Sequence, residues 1–498
     1  MKTDFSIPRR QNFRGILVVF LMDLFKSIKH NIYVFLPLLS SKVREEYLSI
    51  VLVVLGVLII LQLLYSYKSY LNYKFHVHEQ RFFLTQGVFN FTDTDIPFDR
   101  IQNININQNL IQQILNVVGF EIETAGQSTA EIKIKALSRE VAQELKETLL
   151  KTENENTSEE QIKDEIESKA STKSKVLFQL DFFELLKVGI SSNYLKGFGL
   201  VLLFISTLFQ YLQEIVLNIF EVDFDDEYLS QFQGTFEFII GLIVFLLAAT
   251  FIVTIGRTVI KYFELKVTKM DEDFEVEYGL LKRVNQIIKK NKTQVFEIEE
   301  NPIKNILNIK NVFISQASSQ ELNNKKKIAA IGISDENIRI LFKSLFDLSY
   351  PQKFININSS KRLMFRLMIK NFILSLVIGL GLIMWQGFLF GFISTVILLG
   401  VFFFIAYKTV QKSHIGVSDD LIEIQSGSIH TNRKYIAVHK IQTISLERNL
   451  FQQYNKHADL IVYTASGKER ISYLKYEEVL EIVNYLNFKV QESELSWI

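Results

Sequence analysis

Four apolar runs with almost no charge divide the chain: 48–65, 198–217, 236–255 and 367–407. A helix needs about 20 residues to cross a hydrocarbon core of about 30 Å. The last run is about twice that length, so it predicts two helices. The break falls near Trp385, Gln386 and Gly387, where an indole and a glycine suit an interfacial turn. Glu214, Glu237 and Lys370 stay near the ends of their runs, where a charge costs least. A fifth stretch, 16–39, is apolar but interrupted by Asp23, Lys26, Lys29 and His30. It reads either as a poor first span or as an amphipathic helix lying in the interface.

Charge at the flanks favours the span. Arg9, Arg10 and Arg14 precede the first segment, Lys68 and Lys74 follow the second, and Lys187 and Lys196 precede the third. Arg257 and Lys261 follow the fourth, Lys361, Arg362, Arg366 and Lys370 precede the fifth, and Lys408 and Lys412 follow the sixth. Residues 221–227, between the third and fourth, carry Glu221, Asp223, Asp225, Asp226 and Glu227. Basic flanks mark the cytoplasmic side. Six spans then place the N-terminus and every large soluble segment in the cytoplasm, at the inner membrane of a cell. Lys42 and Arg44, in the short outer loop, fit this arrangement least.

The soluble blocks repeat. Gly87, Gln102 and Asn109 recur as Gly279, Gln294 and Asn301, and again as Gly427, Gln442 and Asn449, with no insertion between them. A strand-like run precedes each glycine, so it can close a hairpin with φ > 0. Apolar residues follow each glutamine at +2 and +4: Ile104 and Ile106, Phe296 and Ile298, Ile444 and Leu446. Period 2 predicts a half-buried strand with the glutamine on its apolar face, bonding neighbouring backbone. Each asparagine opens a helical turn as its N-cap, and Pro302 after Asn301 suits the first helical position. Each block ends in a helix with one apolar stripe: Ala142, Leu145 and Leu149; Ile338, Leu341 and Leu345; Val479, Ile482 and Leu486. Strands first and an amphipathic helix last predict an α+β unit, a bent antiparallel sheet capped by its C-terminal helix.

Composition narrows the chemistry. The 498 residues include no cysteine, which excludes disulfides, thiolate metal sites and a cysteine nucleophile. The seven histidines form no HxxxH pair, and His76 and His78 alone share a strand face. A net charge of +1 gives no pull toward nucleic acid. No nucleophile–base pair or phosphate loop can be read, so no catalytic, cofactor or metal residues are assigned and no enzyme is expected. Residues 151–175 are polar and read as a solvated linker. Residues 176–189 mix apolar and charged positions, as a strand followed by an interfacial helix would.

The stretch IPFDRIQNININQNLIQQILNVVGFEIETAGQSTAEIKIKALS (96–138), with the basic start SIPRRQNFRGI (6–16), resembles bacterial pleckstrin-homology-like domains. The whole chain is similar to YdbT-like membrane proteins that carry three of them. The resemblance implies a strongly bent β-sandwich closed by a helix, and no enzyme activity. The expected organisation is a basic N-terminus with a first helix pair (1–66), a PH-like domain with linker and juxtamembrane segment (67–196), a second pair (197–256), a second domain (257–362), a third pair (363–407) and a third domain (408–498).

Two functions compete. One is a non-catalytic scaffold whose modules bind membrane-associated proteins or lipids. The other is a transport or export component that uses the helices, but the spans lack the central charges of an ion path. Lys289, Lys290, Lys292, Lys325, Lys326 and Lys327 make the second block the most basic, and they are candidate headgroup contacts. Expected partners are the bilayer, other membrane proteins and a smaller companion of the same domain type. An oligomer is compatible with the sequence.

Overall fold

A computed structural model of the chain describes residues 4–30, 41–124, 132–150, 175–192, 194, 197–205, 236–270, 273–317 and 327–493. The acidic 221–227 loop, nearly all of the polar linker, Lys325 and Lys326 lie outside the described residues.

One order of elements occurs three times. The first repeat has β1 (Arg9–Arg10), α1 (Gly15–His30), α2 (Ser41–Asn72), β2 (Lys74–His78), β3 (Arg81–Gln86), β4 (Thr92–Pro97), β5 (Ile101–Asn109), α3 (Leu110–Ile114), β6 (Val118–Thr124), β7 (Ile132–Leu137) and α4 (Arg139–Leu150). The second has β8 (Lys175–Gln179), α5 (Phe182–Ile190), helical residues 197–205, α6 (Phe236–Tyr262), β9 (Lys266–Met270), β10 (Asp273–Tyr278), β11 (Lys282–Ile288), β12 (Thr293–Glu300), α7 (Pro302–Ile306), β13 (Lys310–Gln316), β14 (Lys327–Ile333) and α8 (Asp335–Phe346). The third has β15 (Ile355–Asn358), α9 (Arg362–Gln386), α10 (Phe388–Lys412), β16 (His414–Val417), β17 (Leu421–Gly427), β18 (Thr431–Ala437), β19 (Ile441–Glu447), α11 (Leu450–Tyr454), β20 (His457–Thr464), β21 (Gly467–Lys475) and α12 (Tyr476–Glu492).

The domain boundaries differ from the expected ones in one respect. The helix pairs do not precede the modules; they are inserted into them. Arg9 and Arg10 pair with Phe75 and Lys74 across the first helix pair. Lys175–Gln179 pairs antiparallel with Lys266–Lys269 across the second, and Ile355–Asn358 with His414–Val417 across the third. The strand and helix read over 176–189 are β8 and α5, whereas β1 and β15 are too short to stand out in the sequence, and a helix pair separates each first strand from its partner.

The chain forms two compact units, one of Met1–Thr172, Leu180–Leu265 and Glu277–Gln286, the other of Lys173–Gln179, Lys266–Val276 and Ile287–Ile498. In the first unit, the sheet β1-β2-β3-β4 and strands β7-β6-β5 face each other over one core. Strand alternation supplies its residues: Phe75, Phe82, Leu84 and Ile96 from one sheet, Ile104, Phe120, Ile122, Ile132 and Ile134 from the other. Ala142, Leu145 and Leu149 of α4 close the open end, as the helical spacing predicts. The second unit holds the third repeat's core. Ile415, Ile422, Ile424 and Ile436 pack there against Leu460, Val462, Val479 and Leu486.

Among the described residues, four helical stretches are long and apolar enough to cross a membrane: Leu48–Asn72, Ile240–Tyr262, Arg362–Met384 and Gly391–Lys412. Their side chains are almost wholly exposed outside lipid. The long run breaks at Gly387, whose φ of +90° turns the chain between α9 and α10. Within the hairpin, a Cβ on Gly379 would come within 2.0 Å of Thr395 Oγ1, so this glycine sets the close approach of the two helices. Of the segment 16–39, residues 16–30 are described. α1 has 16 residues, and Val18 is buried with Val117 and Ala136 against the first module. Asn12 N donates to Ala136 O (2.8 Å) and Arg14 Nη1 to Leu115 O (2.9 Å). This start therefore docks on protein, while residues 31–40 lie outside the described ones.

Candidate functional site

The repeat signature builds one end of each module. A Cβ on Gly87, Gly279 or Gly427 would come within 2.0, 2.0 and 1.9 Å of the carbonyl oxygen three residues on, and their φ values are +134°, +111° and +119°. Each asparagine caps its short helix. Asn109 Oδ1 accepts from Gln112 N (2.9 Å), Asn301 Oδ1 from Lys304 N (2.7 Å) and Asn449 Oδ1 from Gln452 N (2.8 Å). Gln112 and Gln452 answer from their side chains to the cap's own N–H, which completes a capping box.

The glutamines are β-bulge residues. Register slips between Ile101 and Asn103, between Thr293 and Val295, and between Ile441 and Thr443. An extra residue at a bulge leaves the period-2 pattern, so its side chain is not bound to the apolar face. Gln294 is fully buried, and its Oε1 accepts from Ala465 N (3.3 Å), a turn of the third repeat. Gln442 is exposed, contrary to the expectation of a buried amide.

The helix ends fix which end of each module meets the membrane. Asn72 Nδ2, at the end of α2, donates to Gly87 O (2.9 Å). Leu280 N donates to Ile260 O of α6 (3.0 Å), and Gln113 Nε2 of α3 donates to Leu280 O (3.0 Å). In the second unit, Lys412 Nζ at the end of α10 donates to Thr431 Oγ1 (2.7 Å). Arg366 Nη1, near the start of α9, lies 3.6 Å from Asp459 Oδ2. In the first and third repeats the glycine turn and the short helix thus sit at the membrane-proximal end, and in the second the glycine turn does.

That rim is apolar in every repeat. Two residues after the glycines stand Phe89, Leu281 and Ile429, and five after the asparagines stand Ile114, Ile306 and Tyr454, all exposed. Phe89 is 85% exposed, Ile306 78% and Tyr454 90%, and Leu450 and Phe451 project beside Tyr454. Exposed apolar side chains at bilayer height are what an interfacial contact uses.

A buried carboxylate, unannounced by the sequence, ties the third rim together. Asp459 is 1% exposed and accepts from Gln452 Nε2 (2.5 Å), Arg470 Nη2 (2.6 Å) and Tyr473 N (2.9 Å). The partners lie on α11 and β21, with Arg366 of α9 beyond; only their non-local convergence marks the site. The bonds that Arg470 donates to Asp459 hold its guanidinium above its ordinary pKa.

The lysines lie at the other end. Lys290 and Lys440 line a cleft of about 460 Å³ with Asn291, Asp347, Asp420 and His439. Lys290 pairs with Asp347 (2.8 Å), Lys440 Nζ donates to Asn291 O (2.8 Å), and Lys327 pairs with Glu297. β18 runs from Thr431, beside the end of α10, to Ala437. At about 3.3 Å per residue this carries the chain about 20 Å from the membrane end. The structure brings Lys289, Lys290 and Lys292 into one turn there, with Lys289 and Lys292 half-buried. At that separation, beyond the roughly 8 Å screening length of physiological salt, headgroup attraction is small. Among the described residues, no group of three or more His, Asp and Glu is gathered as a metal site needs.

The profile of the bacterial PH domain family matches residues 27–153, 188–337 and 369–489. The chain is 23% identical over 482 residues to the UPF0699 transmembrane protein YdbT of Bacillus subtilis (strain 168), covering 94% of each chain.

Proposed function

The chain belongs to the bacterial PH domain family, and from that premise we propose that it is a non-catalytic scaffold of the cytoplasmic membrane. Three PH-like modules are held on the cytoplasmic leaflet and offer their strands and grooves to membrane-associated proteins. One observation carries the reading: the strands that flank each helix pair hydrogen-bond to each other. A hairpin whose two ends are sewn into one sheet must cross the bilayer an even number of times. It anchors its module and leaves no inter-helix freedom of the kind a transport cycle uses. The positive flanks then favour the cytoplasmic side. Tethering raises the local concentration of every module toward other membrane residents, so weak sites act together. The rim rests on lipid through apolar side chains rather than through a basic headgroup pocket.

Single cysteines placed at Ser158 and Phe224 of this cysteine-free chain test the orientation. An impermeant thiol reagent should label position 224 from outside intact cells and spare 158; labelling of 158 overturns the topology. Crosslinking in native membranes followed by mass spectrometry tests the scaffold. Recurrent protein neighbours on the module surfaces are expected, and lipid adducts alone would count against it.

A further inference from the structure

The joints between repeats share one register. In each, the strand that opens a module's second sheet pairs with the fourth strand of the following module. Gln108 lies opposite Arg283, Asn107 opposite Val284 and Ile106 opposite Asn285. Glu300 lies opposite Thr431, Glu299 opposite Asn432 and Ile298 opposite Arg433. Counted from the signature asparagine and glycine, these are the same positions: the residue before the asparagine faces the fourth residue after the glycine. Two strands of these kinds have no such neighbour among the described residues. β19 is the outer strand of the sheet β19-β20-β21, and β4 is the outer strand of β1-β2-β3-β4.

We propose that β19 of one copy pairs with β4 of a second copy in this same register, joining copies head to tail in the membrane. Arg448 would lie opposite Phe91, Glu447 opposite Thr92, Leu446 opposite Asp93 and Ser445 opposite Thr94. Sheet edges recruit strands because their N–H and C=O groups are unpaired. β19 carries no lysine or proline to blunt its edge, and Gln442 and Thr443 are exposed along it. Gln294 shows what docking does to this position. In the second repeat the bulge glutamine is buried against the following module, and in the third it waits uncovered.

Charge selects a second copy's β4 over the other pairings open to these edges. β4 carries Asp93 and Asp95. Two β4 strands side by side would set these aspartates against each other, and β12 has no free edge to offer, because β13 and β18 flank it. β19 carries Glu447 followed by Arg448, whose guanidinium donates to His457 O and Gln453 O and lies over the Tyr476 ring, and which would stand diagonal to Asp93 and set a positive charge near it. Pro97, which cannot donate to a ladder, lies beyond the paired stretch. The interface is heterologous, so repetition gives a ring if it closes and a linear array if it does not.

The absence of native cysteine makes the test direct. One full-length copy carries Thr94→Cys and a second carries Ser445→Cys; the two are co-expressed and their membranes oxidised. A mixed disulfide-linked dimer is expected, with at least about tenfold lower yield when Asp93→Cys replaces Thr94→Cys and the register is broken. Asn107→Cys with Val284→Cys in one chain reports that strand-to-strand disulfides form under the same conditions. An internal disulfide there without the mixed dimer overturns the proposal. So does dimerisation of the Ser445→Cys copy alone, or a disulfide of position 445 with a different protein. These outcomes leave the anchored-module reading intact, because that reading requires no self-association.

Discussion

β12 and β19 are the same strand in two settings. Both carry the glutamine bulge, the following apolar alternation and the capping asparagine. β12 lies in the interior of the sheet β14-β13-β12-β18-β17-β16-β15, and nearly every residue in it is buried. β19 ends its sheet, and all its residues but Ile441 are exposed or half-buried. The local chemistry written into the signature is bulge and cap. Burial comes from the next module. Phe296 packs edge-on to Phe342, and Phe342 packs against Tyr435 of β18 (5.3 Å between centroids), so the second repeat's helix seals the joint. The third repeat compensates inside itself, with a charge where the second has an amide.

That compensation gives the largest expected effect. Ten residues after the asparagine stand Asn311 in the second repeat and Asp459 in the third. Asn311 makes two long bonds, Oδ1 from Gly332 N (3.3 Å) and Nδ2 to Glu299 Oε1 (3.4 Å). Asp459→Ala would leave Gln452 Nε2 and Tyr473 N without their acceptor and Arg470 with Glu447 alone, at a cost of about 3–5 kcal/mol. Asn311→Ala should cost about 1–2 kcal/mol. Urea denaturation of the detergent-solubilised chain measures both; equal losses would mean that the Asp459 network is not what holds the third rim.

The elements that proved legible are the local ones. The break at Gly387, the three glycine turns, the three caps and the stripes of the closing helices each follow from a few adjacent residues. What escaped depends on distant chain. β1 is only Arg9 and Arg10, and nothing in two residues reveals a partner beyond 60 positions later. The buried state of Gln294 and the exposed state of Gln442 differ because one has a following module. The lysine-rich turn was legible as charge, but its distance from the bilayer is a matter of strand direction. The apolar rim was present as single exposed residues, and only their recurrence at one end gives them meaning.

A smaller effect sharpens the comparison at the bulge. Gln294→Ala removes the acceptor of Ala465 N and should cost about 1–2 kcal/mol. Gln442→Ala should stay within about 0.5 kcal/mol in dilute detergent, as exposed substitutions do. A comparable loss at both positions, read from thermal melts, would show that the bulge itself needs the amide and that the neighbouring module is irrelevant to it.

The smallest effect is a pH dependence confined to the second unit. His439 sits in the membrane-distal cleft among Lys290, Lys440, Asp347 and Asp420. Burial, then the charge of Lys440, hold its pKa below 6.5 against the opposing pull of Asp420. His457 is also lowered, by burial first and with Arg362 and Lys475 adding to it, although the bond to Asn455 O opposes the shift. Both rings bind a proton more readily in the unfolded chain. The stability they contribute is therefore complete above pH 6.5 and declines as the pH falls through 6.5 toward their folded values. Burial works to raise Glu423, but the bond from Tyr435 (3.0 Å) and the nearby His414 and Arg433 outweigh it and leave the carboxyl lowered, so its contribution is lost only below 4.5. Melting between pH 7 and pH 5 thus isolates the histidines. His439→Gln with His457→Asn should flatten the acid slope of the chain; an unchanged slope would place the titrating groups elsewhere and remove these two histidines, one at each end of the third module, as the acid-sensitive part of the fold.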